Sequence, residues 1–253
     1  MKEKLISIII PAYNEETVIA YSLPTVYKEL LSLDKPFEIL VVDDGSKDST
    51  LSIAQKILKS GEYPHLKLIS YKDGPSRREN LSKSFTLLNG EQIILFDMDL
   101  SMDPKHLKEM LSCLNQGYEM VIPNRYHKDS VIHRTPKRYI ISKLYNAFIR
   151  LLFRTGFKDN ICGFKAFQRE VALQLIKDAG SDTTRRRSVF WDTEIIIHAQ
   201  RRGIKIKEIP ISWIEGKNSA LNFKREIKML PYIMEFWFKR YQHKYNSTPL
   251  QNN

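Results

Sequence analysis

The sequence predicts an α/β fold with a mostly parallel central sheet flanked by helices, and three observations carry that reading. Short apolar, β-branched runs alternate with segments of helical periodicity, the pattern of a layered α/β domain. The first such run is apolar on both faces, as a strand covered by helices on two sides must be. Acidic or polar clusters fall where three of these runs end: Asn14-Glu15-Glu16, Asp43-Asp44 and Asp97 with Asp99. In open parallel sheets that edge is where ligands bind.

The elements follow in order. Leu5 to Ile10 is the first strand, and Pro11-Ala12-Tyr13-Asn14-Glu15-Glu16 leaves it. A helix follows with Ile19, Leu23, Val26 and Leu30 on one face and a kink expected at Pro24. Phe37 to Val42 is the second strand, ending in Asp43-Asp44-Gly45-Ser46. A helix from Ser49 to Leu58, a strand from Leu66 to Ser70 and a helix across 76–89 lead to the central strand, Gln92 to Phe96. Asp103 as N-cap and Pro104 as first helical residue open a helix that turns Leu107, Met110, Leu111 and Leu114 inward. Met120 to Ile122 supplies a further strand. Neither a G-x-G-x-x-G nor a P-loop follows any strand, which argues against a dinucleotide enzyme or a P-loop kinase.

With 253 residues, 42% hydrophobic and 27% charged, the chain suits one globular domain with an appended segment. Cys113 and Cys162 give no disulfide framework and fit a reducing compartment. The apolar run stopped by Pro11 is too short for a signal-peptide core, and no stretch reaches the roughly 18 apolar residues of a membrane span. The expectation is a cytoplasmic protein, peripheral on the cytoplasmic face of a membrane. A net charge of +11 suits an anionic partner: nucleic acid, a phosphorylated substrate or an acidic lipid surface. No RNA- or DNA-reading motif accompanies that charge, and acidic strand ends oppose nucleic-acid binding. The histidines show no zinc-ligand spacing.

The chemistry centres on Ile93 to Ser101. Residues two apart on extended backbone point the same way, so Asp97 and Asp99 present two carboxylates side by side. Such a pair repels itself unless a cation sits between. A hard divalent ion, Mg2+ or Mn2+, takes these oxygens and leaves positions open for a diphosphate. The other reading of an isolated D-x-D is a solvated acidic turn.

The ordered set of a strand with PAYNEE, a strand with VVDDGSKDST and a strand with DMDLS resembles the family 2 glycosyltransferases of the GT-A fold. Asp159-x-x-Cys162-Gly163-Phe164-Lys165-Ala166-Phe167, Phe190-Trp191-Asp192-Thr193-Glu194 and Ile206 to Trp213 extend the likeness. These segments resemble the dolichyl- or polyprenyl-phosphate mannosyl- and glucosyltransferase branch. The resemblance implies a metal-dependent inverting enzyme. It would move a hexose from a nucleoside diphosphate sugar (GDP-mannose or UDP-glucose) to polyprenyl phosphate; the alternative acceptor is a sugar hydroxyl of a glycan or lipid-linked sugar. It implies that Pro11, Ala12, Tyr13, Glu15 and Asp43 bind the nucleotide's base and ribose, and that Asp97 and Asp99 hold the metal and the diphosphate. Ser101 stands where many relatives carry Gln. The loop before the third helix, Lys72-Asp73-Gly74-Pro75-Ser76-Arg77-Arg78, departs from the Gly-rich, Lys-containing loop of those relatives.

On the acceptor side, Arg138 lies four residues before Ser142 on an expected helix, which puts guanidinium and hydroxyl on one face. Together they suit a phosphate, and the resemblance implies that Arg125, Arg138 and Ser142 hold the lipid phosphate. A solvated basic helix face is the other reading. Asp192 and Glu194 fall at the start of a helix, either as capping residues paired with Arg185 to Arg187 or as organisers of the catalytic site. A hydroxyl acceptor would make Asp192 the leading base. A phosphate monoester attacks without losing a proton, and needs none. Arg185, Arg186 and Arg187 either screen the active-site phosphates or are solvated. Residues 1–220 form the expected glycosyltransferase domain, with Glu215-Gly216-Lys217-Asn218-Ser219 resembling a basic loop that closes over the donor phosphates. Residues 221–253 form a C-terminal segment whose helix, at 222–245, mixes Phe223, Ile227, Leu230, Met234, Trp237, Phe238 and Tyr241 with basic residues. That helix suits a peripheral membrane surface, packing on the domain, or contact with an anchoring partner or a second copy.

Overall fold

The computed structural model describes residues 4–76, 78–184, 187–216 and 223–242, without the side chains of 223–228 and 240–242. Nine strands and eight α-helices are assigned among these residues. The main sheet has seven strands: β1 (Ile6–Ala12), β2 (Phe37–Asp43), β3 (Leu66–Ser70), β4 (Gln92–Leu95), β5 (Met120–Pro123), β7 (Lys165–Gln168) and β8 (Ile206–Ile209). Their order is β3-β2-β1-β4-β7-β5-β8, and β7 alone runs against its neighbours. Two short parallel strands, β6 (Val131–His133) and β9 (Ser212–Ile214), make a second sheet.

Alternation along each strand explains the layers. Ile8 and Ile10 of β1, Ile39 and Val41 of β2 and Ile94 of β4 face one core. There they meet α1 (Ile19–Ser32), α2 (Thr50–Lys59) and α4 (His106–Asn115). Ile9, Leu40, Val42, Ile93 and Leu95 face the other core. Its cover is α3 (Glu79–Ser84), α6 (Arg169–Ala179) and α7 (Phe190–Arg201). Side chains such as Ile8, Ile9 and Ile94, at 0% exposure, each contribute about 1.5–3 kcal/mol of burial. A third cluster joins α5 (Pro136–Phe153), α7 and α8 (Phe223–Gln242).

Several expectations shift on contact with the structure. The helix expected across 76–89 is the six-residue α3 followed by a 3-10 turn at Phe85–Leu87. The helix expected from Asp103 begins at His106 instead, because Asp103 and Pro104 form the preceding turn, whose carbonyls accept the His106 and Leu107 N–H groups. Pro24 sits inside α1 without dividing it. The sheet's outward order from β1 to β2 and β3 and from β4 to the far edge makes a switch point between β1 and β4. A crevice opens there beyond the strand ends.

Candidate active site

A cleft of ≈ 450 Å³ occupies this switch point, with Pro11, Ala12, Tyr13 and Glu15 after β1, Asp44 after β2 and Asp97 to Asp99 after β4 on its walls. Its first two loops are stitched together. Asn14, at φ +57°, accepts the Lys47 N–H at 2.8 Å, Thr50 Oγ1 accepts the Glu15 N–H at 2.7 Å, and Glu16 accepts the Ser49 N–H at 2.9 Å. Asp43, expected in the nucleotide pocket, is 1% exposed and lies beneath it, accepting from Ser70 Oγ at 2.7 Å and the Ser46 N–H at 3.2 Å. The strand register turns Asp43 inward, and Asp44 is the carboxylate on the cleft wall. Ser76 N–H and Asn80 Nδ2 each reach Asp44 at 2.8 Å. Gly74 is required there, since a Cβ would stand 1.7 Å from the Asp44 carbonyl oxygen.

β4 stops at Leu95, so Asp97 and Asp99 share no extended strand. They flank a turn in which Met98 is buried and Leu100 takes φ +52°. Ser101 anchors Asp99, its Oγ at 2.6 Å and its N–H at 3.0 Å. Burial, with the nearby charges of Asp99 and Asp192, pushes the Asp97 carboxyl up to about 6 against the pull of Arg78 and Lys165. Burial and the charges of Asp99, Asp97 and Asp48 push Glu15 up to about 7. This crowding of negative charge is what a divalent cation relieves, and the hard oxygen donors of Asp97 and Asp99 fit one. Among the described residues no group of three or more His, Cys, Asp or Glu side chains is placed to hold a metal ion.

The opposite wall is cationic. Arg78, in the left-handed region at φ +91°, reaches Asp192 at 3.1 Å and Asp97 at 3.7 Å and lies 6.0 Å from the Trp191 ring. Lys165, fully buried, holds the other Asp192 oxygen at 2.8 Å and donates to the Cys162 carbonyl. Asp192 is therefore clamped between two cations. Glu194, expected beside it, points away: it meets Arg187 at 3.4 Å, Tyr232 Oη at 3.3 Å and His198 at 3.6 Å, facing a second cavity under α8. The helical turn explains this, because residues two apart do not share a helix face. Arg187 is not solvated, and it is not among the cleft-lining residues, although Ser188 and Val189 beside it are. It is fully buried, pairing with Glu79 at 2.6 Å and donating to the Ala179 and Gly180 carbonyls. Arg77, Arg185, Arg186 and the closing loop at Lys217, Asn218 and Ser219 lie outside the described residues.

The expected acceptor residues gather on the far side of the 159–163 segment. Arg125 is buried and bidentate to Asp159, Nε at 2.6 Å and Nη2 at 2.7 Å, with its guanidinium 5.0 Å from the Trp213 ring. Burial would raise the Asp159 carboxyl, but the Arg125 charge and hydrogen bonds hold it below the usual range. Arg138 is paired with Glu215, which also accepts the Thr135 N–H at 3.0 Å. Ser142, 5% exposed, shares a hydrogen bond with Tyr126 Oη and accepts from Arg134 Nη1 at 3.0 Å. Sequence reasoning placed Asp44 at the ligand edge without giving it a role, and it missed Arg78, Arg134 and the pairing of Lys165. Arg78 carried a signal, since it stands in the loop that departs from the resembled pattern. The acidic and acceptor sides are physically joined: Ile214 N–H donates to the Ser101 carbonyl at 2.8 Å, and a Cβ on Gly216 would stand 2.8 Å from Asp99 Oδ2.

A strand-end crevice bordered by paired aspartates on a largely parallel sheet is the arrangement of a GT-A-type fold. The sequence model described as Glycosyl transferase family 2 matches residues 7–176, and the chain belongs to that family. It is 32% identical to Glycosyltransferase AglD of Haloferax volcanii over 238 residues, covering 92% of this chain and 37% of that protein. It is 30% identical to Dolichyl-phosphate beta-glucosyltransferase ALG5A of Trichomonas vaginalis, covering 88% of this chain and 70% of the relative. The chain thus spans little more than a third of the length of AglD. Among solved structures, glucosyl-3-phosphoglycerate synthase from Mycobacterium tuberculosis, in complex with Mn2+, uridine diphosphate and glucosyl-3-phosphoglycerate, superimposes with a TM-score of 0.64. The identity is 19%, covering 92% of this chain and 79% of that one, a likeness of fold.

Proposed function

We propose that the chain is a metal-dependent inverting glycosyltransferase that moves a hexose from UDP-glucose or GDP-mannose to polyprenyl phosphate at the cytoplasmic face of a membrane. The observation that carries this reading is the adjacency of two chemistries: an acidic crevice at the switch point, and beside it a cluster of Arg125, Arg134, Arg138 and Ser142. The first suits a nucleoside diphosphate with its cation, the second an anionic acceptor. The relatives named for dolichyl-phosphate glucosyl transfer support the acceptor class.

In the proposed reaction a phosphate oxygen of the acceptor attacks the anomeric carbon while the bond to the donor diphosphate breaks. No proton needs removal, so positioning dominates. A divalent cation, Mg2+ or Mn2+, held by Asp97 and Asp99 would neutralise charge on the departing diphosphate. Arg78 adds positive charge from the facing wall, and Tyr13 and Glu15 border the base and ribose. Asp192 has both oxygens engaged by cations, which favours a charge-holding role over that of a base and hence a phosphate over a hydroxyl acceptor.

The lipid character of the acceptor has its own support. Ile140, Leu144 and Leu151 form a stripe on α5, exposed by 56%, 65% and 83%, with Lys137, Lys143 and Arg150 exposed alongside. The stripe starts within a turn of Arg138 and Ser142, as suits a helix lying on anionic lipid. α8, for which the sequence left a membrane surface, packing on the domain or a partner open, packs Met229 and Ile233 into the third core cluster, and Trp237 Nε1 donates to the Leu152 carbonyl at 3.0 Å. Its exposed Leu230 and Phe238 remain for an anchoring partner or a second copy. Among the described residues no helix is long and apolar enough to cross a membrane.

The test offers each donor separately with polyprenyl phosphate and Mg2+ or Mn2+, with chelator controls, and measures sugar in the organic phase. Metal-dependent labelling of lipid by one donor is expected. Nucleotide release that requires a glycan hydroxyl acceptor instead would sink the phosphate reading.

A further inference from the structure

Of the three arginines in the cluster beside the cleft, two are already committed. Arg125 gives Nε and Nη2 to Asp159, and Arg138 is paired with Glu215. Arg134 differs. It comes from the segment between β6 and α5, and its Nη1 donates to Ser142 Oγ at 3.0 Å. Its Nε is buried with no hydrogen-bond partner, and no carboxylate lies within ion-pairing distance of it among the described residues. A buried guanidinium nitrogen left without an acceptor is costly, and the neighbouring Arg125 charge adds to that cost.

We propose that Arg134, with Ser142 and Tyr126, is the guanidinium fork that grips the anionic head of the acceptor, a phosphate monoester. The proposal rests on the reading of the acceptor as a lipid phosphate. The geometry suits the task. Arg134 Nη1 and Tyr126 Oη already converge on the buried Ser142 hydroxyl. A phosphate oxygen reaching Nε and an Nη of Arg134 would be met by a planar fork, the arrangement that distinguishes arginine from lysine. Burial and the Arg125 charge both depress the basicity of Arg134, and a dianion beside it would reverse both effects. The site is adjacent to the donor cleft, because β6, which precedes Arg134, pairs with β9, whose Ile214 is bonded to Ser101.

The experiment measures binding of citronellyl phosphate, a short soluble isoprenyl monophosphate, by titration calorimetry to the wild-type chain, Arg134→Gln and Arg134→Lys. Citronellol serves as the uncharged control, and binding of UDP and GDP with Mn2+ is measured in parallel. Arg134→Gln should weaken the monophosphate about 10- to 100-fold, the equivalent of about 1.5–3 kcal/mol for hydrogen bonds to a charged group. Arg134→Lys should fall between, and diphosphate binding by both variants should match wild type. Thermal melting of each variant reports folding, and unchanged nucleotide binding separates a lost acceptor contact from a damaged domain. Equal monophosphate affinity in wild type and Arg134→Gln overturns the proposal, as does a wild-type chain that binds citronellyl phosphate no better than citronellol. If the expected losses occur but no donor yields sugar on the isoprenyl phosphate, Arg134 stands and the proposed reaction falls.

Discussion

Replacing Asp192 by Asn tests whether this carboxylate holds charge or abstracts protons. Lys165 is 0% and Asp192 2% exposed at the side chain, and they meet at 2.8 Å. Removing one partner of such a pair strands the other, at a cost of about 3–5 kcal/mol. At about 2–4 °C per kcal/mol for a domain of this size, the melting temperature should fall by about 6–20 °C. Lys165→Met should also destabilise, leaving Asp192 with Arg78 alone. The double variant should recover much of either loss, with a coupling of about 2 kcal/mol or more. Urea unfolding of the four proteins makes the measurement. Additive losses, or a single-variant cost below about 1 kcal/mol, would refute the buried-pair reasoning and return Asp192 to the candidates for a base.

Other expectations follow from single contacts. A Cβ on Gly163 would stand 2.5 Å from Asp97 Oδ2 and 3.0 Å from Arg78 Nη2, both side-chain ends able to move. Gly163→Ala should therefore leave the melting temperature nearly unchanged while weakening Mn2+-dependent nucleotide binding, read by calorimetry. Glu194→Gln should lower stability by about 2–4 kcal/mol through Arg187, with kcat held within about twofold; a large kcat loss in a stable variant would restore Glu194 to the catalytic site. Glu38 is held at about 2, because hydrogen bonds from Lys67, Asn89 and Ser7 outweigh its burial. The folded chain releases this proton more readily than the unfolded one, so the contribution is full above about pH 4.5 and fades as pH falls toward 2. Its ceiling is about 3 kcal/mol, and Glu38→Gln should flatten the acid limb of stability measured from pH 5 to pH 2.5.

The layers of the fold were legible because they rest on periodicity. The two-residue alternation in Ile8 to Ile10 and in Ile39 to Val42 is the alternation of the two cores. The strand-end clusters were legible because acidic residues interrupt apolar runs abruptly. Boundaries were less so. A sequence does not say that the carboxylates after Leu95 leave the strand for a turn, or that Asp44 lines the cleft while Asp43 is buried, since one residue of register exchanges the two faces. Pairing was legible only where it is local: the ion pair expected between the Asp192-Thr193-Glu194 stretch and Arg185 to Arg187 is met by Glu194 with Arg187, and the distant pairs were not foreseen. Arg125, Arg138 and Arg187 looked alike as basic residues near a phosphate site, and the structure gives each a carboxylate from 34, 77 or 108 residues away. Such partners obey no local period, so only the fold decides which arginine still has a donor to offer.

The segment from Asp159 to Lys165 shows why a motif so short has consequences at both ends of the site. Asp159 fixes the Arg125 guanidinium on the acceptor side. Gly163 has no side chain because Asp97 occupies that space. Lys165 holds Asp192, which in turn holds Arg78 over the donor cleft. Cys162 lies between them, its thiol pushed up to about 12 by burial, so it is a packing residue and not a nucleophile. Seven residues thus set the spacing between the charge that would face the donor diphosphate and the charge that would face the acceptor. In the proposed transfer to a phosphate, which needs no base, that spacing is the main thing the protein would have to supply. A substitution here should therefore alter the rate through geometry even where it leaves each binding site intact.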